Sequence, residues 1–256
     1  MTERRDMASS PVDIAAQEGC ALTGASPKEG SPKHQIAVFD FDGTSIRGNS
    51  PVMLVRYLYN HGLLKSSEVL PIALWGLSYK MRLPNSEDWV RRKVFSAFEG
   101  WPKEQADDLM RRFYAEKVSH RFREGLDRAI KRHHDEGREV MVVSASFEPI
   151  ILAAMEEHDY DVQFATRMKV DENGRYLREV DGAPVEGVEK LRLVRQYADD
   201  VYGPGNWELA YAYGDHHSDI PLLEAARVPL AVSPERALAR AAQARGWTVL
   251  DWGHGE

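Results

Sequence analysis

The amino-acid sequence predicts an α/β protein, a doubly wound parallel sheet that carries a helical insertion after its first strand. Short apolar, β-rich runs alternate with helical segments, which is the pattern of a parallel sheet with crossover helices. Between the first and second runs, residues 45–138 contain no convincing strand. An insertion of about ninety residues is the size of a small domain.

The predicted core begins with a strand at residues 36–39, whose unbroken apolar character is typical of a strand buried on both faces. Two further strands, each followed by candidate site residues, are predicted at residues 139–143 and 209–213. The other predicted core elements are helices at 149–158, 189–198 and 234–245, strands at 228–232 and 248–251, and two strands, 163–170 and 175–180, around the hairpin turn Asp171-Glu172-Asn173-Gly174.

The insertion is predicted to be entirely helical. Its first helix begins at Asn49-Ser50-Pro51, a polar cap followed by proline, and ends near Gly62. Further helices are predicted at 67–81, 86–98, 103–119 and 122–135. An apolar stripe formed by Val52, Val55, Tyr59, Leu63 and Trp75 is expected to be cap core rather than a lipid groove.

These elements divide the chain into a disordered tail at residues 1–34, a core at 35–46 and 139–256, and a helical cap at 47–138. The tail is rich in Ser, Gly, Pro and charged residues and contains Cys20, the single cysteine, which excludes an intrachain disulfide framework. Because the N-terminus leads into no apolar signal region and the longest apolar span, 69–77, is short, we expect a cytoplasmic protein without stable membrane insertion.

The charge pattern favours a small anionic partner. The net charge of −7 argues against nucleic-acid binding, yet residues 45–138 carry more basic than acidic side chains. The candidates for gripping an anionic substrate are Arg47, Arg56, Arg82, Arg91, Arg92 and Lys93. Most of these side chains are expected to be solvated helix surface. The oligomeric state is not indicated by the sequence.

Residues with carboxylate or hydroxyl side chains follow three of the predicted strands. Asp40 and Asp42 follow the first, Ser144 the second and Asp215 the third, while Lys190 lies in the preceding helix. Each has an ordinary explanation alone, as an Asp-Gly turn, a helix cap or a solvated lysine. Because the carboxyl ends of parallel strands meet at one edge, their joint occurrence predicts a site there. Two nearby carboxylates need a metal, a proton or a cation.

The motifs resemble those of the haloacid dehalogenase (HAD) superfamily of hydrolases, in the phosphoserine-phosphatase-like branch (subfamily IB) with a helical C1 cap. They are Asp40-Phe41-Asp42-Gly43-Thr44, Ser144, Lys190 and Gly214-Asp215-His216-His217-Ser218-Asp219. The resemblance implies a Rossmann-like core, a mobile cap, and a Mg²⁺-dependent phosphomonoesterase that forms an aspartyl-phosphate.

The resemblance also implies a role for each motif residue. Asp40 would be the nucleophile and Asp42 the general acid and base. Ser144 would hydrogen-bond a phosphoryl oxygen, and Lys190 would offset the negative charge. Mg²⁺ would be held by Asp40, by the backbone carbonyl of Asp42 and by Asp215, with Asp219 orienting Lys190 or lying in the second metal shell. The substrate-binding candidates are Thr44, Arg47, Asn49, Ala145 and Ser146.

These residues do not identify the substrate. In phosphoserine phosphatases a glutamate shortly after the first motif holds the substrate ammonium, and Asn49 stands at the corresponding position here. A neutral amide cannot pair with an ammonium in the same way, so phosphoserine is doubtful. A phosphotransferase, a lipid-headgroup phosphatase or a receiver-like binding module are the alternatives. His216 and His217 are expected at the substrate edge or in solvent, because adjacent histidines rarely face one metal, and His133 and His134 on the cap surface.

Overall fold

The protein is built around a six-stranded sheet in which every neighbouring pair of strands is parallel. The computed structural model describes residues 33–65 and 94–253. The strand order is β3-β2-β1-β6-β7-β8, with β1 (His34–Phe39), β2 (Glu139–Phe147), β3 (Val162–Thr166), β6 (Trp207–Gly214), β7 (Val228–Val232) and β8 (Thr248–Leu250). The chain order reverses between β1 and β6, and such switch points are where open α/β sheets bind ligands.

Seven α-helices lie within the described part of the chain. They are α1 (Ser50–Asn60), α2 (Lys103–Phe113), α3 (Leu126–Asp135), α4 (Glu148–Met155), α5 (Val188–Tyr202), α6 (Ile220–Ala225) and α7 (Arg236–Arg245). A π-helical turn, Tyr114–Val118, and a 3₁₀ turn, Ser119–Arg121, extend α2, and a second 3₁₀ turn, His217–Asp219, precedes α6. The predicted α/β fold class is therefore confirmed.

Both faces of the sheet are covered, which explains the unbroken apolar run of β1. Ala37 and Phe39 belong to one buried cluster and Ile36 and Val38 to the other. The first cluster includes side chains of α1 to α4, and the second includes side chains of α5 to α7. Because strand side chains alternate between faces, a strand between two helical layers has no polar face.

The predicted strand at 163–170 is two strands that belong to different sheets. β3 ends at Thr166, and β4 (Met168–Val170) pairs antiparallel with β5 (Tyr176–Val180) in a separate two-stranded sheet. The hairpin predicted around Asn173-Gly174 is therefore present, with Gly174 at φ +72°. The residue between the two strands, Arg167, marks where the chain leaves the main sheet.

Several sequence predictions lie outside the described residues. They are the N-terminal tail up to residue 32, the helix at 67–81, most of the helix at 86–98, and the side chains of Cys20, Trp75, Arg82, Arg91, Arg92 and Lys93. The division into tail, core and cap stays a prediction. Across residues 33–65 and 94–253, no helix combines the length and the apolar character that a membrane crossing requires.

The prediction that His133 lies on the cap surface is wrong, since its side chain is buried against the sheet. Its Nε2 lies 2.9 Å from the hydroxyl of Tyr213 on β6, and its Nδ1 lies 3.1 Å from Nη1 of Arg138. Burial is the main reason that the pKa of His133 falls to about 3, and the nearby arginines Arg138 and Arg132 add to the shift. His134 is partly exposed and lies 3.0 Å from Asp161.

His133 should make the folded state sensitive to mild acid. Its pKa is 6.5 ordinarily and about 3 when folded, so below pH 6.5 the unfolded chain binds a proton that the folded chain does not. Stability is therefore present above pH 6.5 and lost as the pH falls, by roughly 2 kcal/mol between pH 6.5 and 5. Urea unfolding at pH 7 and 5 should show a smaller loss for His133→Gln than for the parent chain, while the exposed His120→Gln control matches the parent. Equal losses for His133→Gln and the parent would contradict the assignment.

Candidate active site

Asp40 lies at the carboxyl end of β1, and its main chain is fixed on two sides. Its amide donates to the carbonyl of Tyr213 on β6 (3.0 Å), and its carbonyl accepts a hydrogen bond from Ser45 Oγ (2.6 Å). Ser45 Oγ in turn accepts from the buried hydroxyl of Tyr160 (2.9 Å). The Asp40 side chain is 8% exposed, so its carboxylate is presented from a rigid support with little contact with water.

Lys190, in the first turn of α5, joins two carboxylates. Its Nζ donates to Oδ1 of Asp40 (2.6 Å) and to Oδ1 of Asp219 (2.7 Å). All three side chains are buried, and Asp219 is additionally held by the amide of His216, which donates to Oδ2 (3.2 Å). The lysine therefore orients the proposed nucleophile, and Asp219 orients the lysine.

Asp215 reaches the same place from the end of β6. Thr44 Oγ1 donates to its Oδ1 (3.0 Å). Gly43 adopts φ +79°, and a Cβ built there would lie 2.0 Å from Asp215 Oδ2. The turn after β1 thus requires glycine both for its left-handed backbone and for the close approach of the carboxylate.

Carboxylate oxygens of Asp40, Asp215 and Asp219 lie within 4.8 Å of one another. Three carboxylates face one ammonium, so the cluster carries an excess of buried negative charge that a cation would offset. A hard divalent cation such as Mg²⁺ prefers oxygen ligands of this kind. The donor set therefore fits Mg²⁺. Lys190 bonds one oxygen of Asp40 and one of Asp219, and the amide of His216 donates to the second oxygen of Asp219, so Asp40 and Asp215 are the better candidates for metal ligands.

The carboxyl groups of Asp40 and Asp215 have raised pKa values. Burial raises the pKa of Asp40 to about 7, since it outweighs the opposing charge and hydrogen bond of Lys190. Burial and the charge of Asp40 raise the pKa of Asp215 well above its ordinary value. Burial lowers the pKa of Lys190, but the two carboxylates outweigh it, so the net shift is upward and the ammonium stays charged.

The side chain of Asp42 points to a different set of partners from that of Asp40. Its Oδ1 accepts the amide of Ser50 (2.5 Å), the first residue of α1, and its Oδ2 accepts hydrogen bonds from the hydroxyls of Ser50 (3.2 Å) and Ser146. Burial raises the pKa of Asp42, and these hydrogen bonds partly offset the shift. A raised pKa keeps a carboxyl group protonated to a higher pH, which favours a role as a proton donor.

The remaining predicted site residues differ in their surroundings. Ser144 is buried in β2 and accepts the amide of Ser146 (3.0 Å), and Ala145 lies between them with partial exposure. Asn49 caps α1 by accepting the amide of Val52 (3.0 Å). Arg47 is exposed, and its amide donates to the carbonyl of Arg121 (2.8 Å). The substrate contacts of these residues stay predictions.

Sequence reasoning did not identify Arg123, which supports the turn after β1. Its guanidinium donates to the carbonyl of Gly43 through Nε (3.0 Å) and Nη2 (2.7 Å). Its Nη1 reaches Ser233 Oγ (3.2 Å) and the carbonyls of Trp252 and Gly253. Arg123 thus ties the first motif to the C-terminal segment, and an isolated arginine has no sequence pattern that announces this role. The sequence predicts Ser50 only as part of a helix start and does not predict its hydrogen bonds to Asp42.

Comparison with known proteins identifies the family of the chain. Residues 37–224 match the family model of haloacid dehalogenase-like hydrolases. The chain belongs to this family. The prediction of a HAD-type enzyme of the phosphatase class is confirmed.

Curated relatives match most of the chain. A protein of Streptomyces azureus named inhibition of morphological differentiation protein is 29% identical over 84% of this chain and 78% of its own length. A probable phosphatase of Mycobacterium tuberculosis is 31% identical over 84% of this chain and 75% of its own. A histidinol-phosphatase of Neisseria meningitidis is 24% identical over 85% of this chain and 98% of its own length.

Solved structures share the fold at low sequence identity. A protein of unknown function from Bordetella pertussis superposes with a TM-score of 0.77 at 22% identity, covering 86% of this chain and 100% of that one. A phosphoserine phosphatase with an analogue of its phospho-aspartyl intermediate gives a TM-score of 0.59 at 21% identity. The match covers 87% of this chain and 95% of that one.

A pair of glycine variants should separate backbone strain from damage to the site. Gly43→Ala and Gly174→Ala both force alanine to a positive φ, +79° and +72°, but a Cβ at Gly174 meets nothing within 4 Å. We expect both to lose stability by about 1 kcal/mol in urea unfolding. Only Gly43→Ala should also lose phosphatase activity, by about 100-fold or more, because Asp215 is displaced. Similar activity in the two variants would contradict the proposed role of Asp215.

Proposed function

We propose that the protein is a Mg²⁺-dependent phosphomonoesterase that acts on a small anionic phosphorylated metabolite through an aspartyl-phosphate on Asp40. The observation that carries this proposal is the geometry around Asp40. Its carboxylate is oriented by Lys190 at 2.6 Å, next to Asp215 and Asp219, at the switch point of the sheet. Mg²⁺, when bound by Asp40, Asp215 and the Asp42 carbonyl, would neutralise charge on the carboxylates and the phosphoryl group.

In the first step a carboxylate oxygen of Asp40 forms a bond to phosphorus, and the bond from phosphorus to the ester oxygen breaks. Asp42 donates its proton to that leaving oxygen. In the second step Asp42 takes a proton from water, the water oxygen bonds to phosphorus, and the acyl-phosphate bond breaks to return Asp40. Lys190 and Ser144 stabilise negative charge on the phosphoryl oxygens in both steps.

The site and the names of the relatives support a proposal about the substrate class. A histidinol-phosphatase and a phosphoserine phosphatase both act on small phosphate monoesters that carry an amino group. Asn49 offers no carboxylate for such an ammonium, and its oxygen is engaged by the amide of Val52. We therefore propose a small phosphate monoester other than phosphoserine, in a cytoplasmic setting.

Replacing the nucleophile should abolish turnover without unfolding the chain. Asp40→Asn keeps the size and an oxygen that Lys190 can bond, but an amide does not attack phosphorus effectively. We expect phosphate release from a panel of phosphorylated metabolites, including phosphoserine and histidinol phosphate, to fall at least about 1,000-fold. The parent chain should release phosphate with Mg²⁺ and not with EDTA. Unchanged activity in Asp40→Asn would refute the nucleophile, and release in EDTA would refute the metal.

Replacing the general acid should trap the intermediate on a substrate with a good leaving group. With p-nitrophenyl phosphate the leaving oxygen needs little protonation, so Asp42→Asn should still form the aspartyl-phosphate. The second step lacks its base and becomes slow. We expect a burst of one p-nitrophenol per chain followed by slow turnover, together with phosphoprotein in acid-quenched samples. Absence of both the burst and the phosphoprotein, with turnover at the parental rate, would contradict the role of Asp42.

A further inference from the structure

Two adjacent histidines and a glutamate come together beside the site, on residues that the proposed mechanism does not use. His216 and His217 follow Asp215 in the loop after β6, and Glu235 immediately precedes α7. His217 Nδ1 lies 2.7 Å from Glu235 Oε1, and His216 Nε2 lies 3.5 Å from the same oxygen. One donor atom from each of the three residues lies within 4.8 Å of the other two. Adjacent histidines rarely face one metal, but here a ring nitrogen of each lies near the same carboxylate oxygen.

One backbone contact and one contact from the backbone to the Glu235 carboxylate hold the two loops together. The amide of Glu235 donates to the carbonyl of Asp215 (2.9 Å), and the amide of His217 donates to Glu235 Oε1 (3.0 Å). The rings of His216 and His217 have centroids 4.0 Å apart and are tilted by 47°. The loops are therefore set in register by these contacts, which leave the imidazole nitrogens beside the carboxylate.

The distances fit a tetrahedral metal ion. Bonds of about 2.0–2.1 Å from Zn²⁺ to nitrogen or oxygen place neighbouring ligand atoms roughly 3.3 Å apart. The separation of 3.5 Å between His216 Nε2 and Glu235 Oε1 is close to this value. The 2.7 Å contact of His217 must open by roughly 0.6 Å to reach this separation, which its exposed side chain allows.

Ser218 contacts the other ring nitrogen of His216. The Nδ1 of His216 lies 2.9 Å from Ser218 Oγ. Histidines that bind metal through one ring nitrogen usually donate the other N–H to an oxygen, which fixes the ring and its tautomer. In the structure Nδ1 also accepts the amide of Ser218 (3.3 Å), so metal binding through Nε2 requires Nδ1 to give up this contact and to donate to Ser218 Oγ instead.

We propose that His216, His217 and Glu235 form a binding site for a transition-metal ion, best suited to Zn²⁺, at the rim of the active site. Imidazole nitrogens favour Zn²⁺ over Mg²⁺, whereas the oxygen-only cluster around Asp40 favours Mg²⁺. The two sites thus differ in the ion they select. Water would complete the coordination of the zinc. The ion would join the loop after β6 to the start of α7, next to the carbonyl of Asp215.

The proposal is tested by calorimetry, in which Zn²⁺ is titrated into the full chain without a histidine tag. The buffer is at pH 7.5 and contains a large excess of Mg²⁺. The Mg²⁺ occupies the oxygen cluster, so the expected result is one remaining Zn²⁺ per chain. His217→Ala and Glu235→Gln should lose this binding or weaken it at least about tenfold. His120→Ala, an exposed histidine elsewhere, should bind as the parent does.

Thermal unfolding in the same buffer gives a second readout, because a ligand that binds only the folded state raises Tm. Zn²⁺ should raise Tm for the parent and for His120→Ala, and the shift should be lost in the two site variants. Asp40→Asn should retain both the binding and the shift, so failure of the proposed catalysis would not affect this result. Parental Zn²⁺ binding in His217→Ala and Glu235→Gln, or complete displacement of Zn²⁺ by Mg²⁺, would overturn the proposal.

Discussion

The contact on which the site depends is the buried ammonium of Lys190 between the carboxylates of Asp40 and Asp219. It brings together the end of β1, the first turn of α5 and the loop after β6, which are far apart in the chain. Buried ion pairs are weak contributors to stability, because removing both partners from water costs about as much as their attraction returns. Without the lysine, however, the carboxylates would repel one another in a site of low polarity. The ion pair therefore serves orientation and charge balance more than folding.

The backbone around this ion pair is held by contacts that do not involve the reacting groups. The carbonyl and amide of Asp40 are both bonded, and the carbonyl of Gly43 receives two hydrogen bonds from Arg123. A Cβ at Gly214 would lie 2.7 Å from that of Asp219, so this glycine also permits a close approach. A site that must hold several like charges needs such support, because the charges themselves push the loops apart.

The sequence predicted the sheet and the meeting of its motif residues, and the reasons are local. Apolar runs identified the strands, and parallel strands place their carboxyl ends at one edge, so Asp40 and Asp215 could be expected to meet. Arg123 and Glu235 could not be identified, because their partners are backbone atoms or side chains that only the folded chain brings near. The misjudged His133 did carry a signal, since it follows Leu126 and Ile130 at helical spacing on the buried face of α3.

The position of Asp42 links the proposed cap to the chemistry of the core. The backbone amides in the first turn of α1 need acceptors outside the helix. The amide of Ser50 donates to Asp42 and that of Val52 donates to Asn49, while Pro51 has no amide hydrogen. Asp42 therefore acts as an acceptor for the helix N-terminus, where the helix dipole favours its charged form. A movement of α1 away from the core would remove both Ser50 bonds and, with them, part of what opposes protonation of the carboxyl group. The proposed cap would thus affect the proposed general acid, Asp42, through the backbone of its first helix.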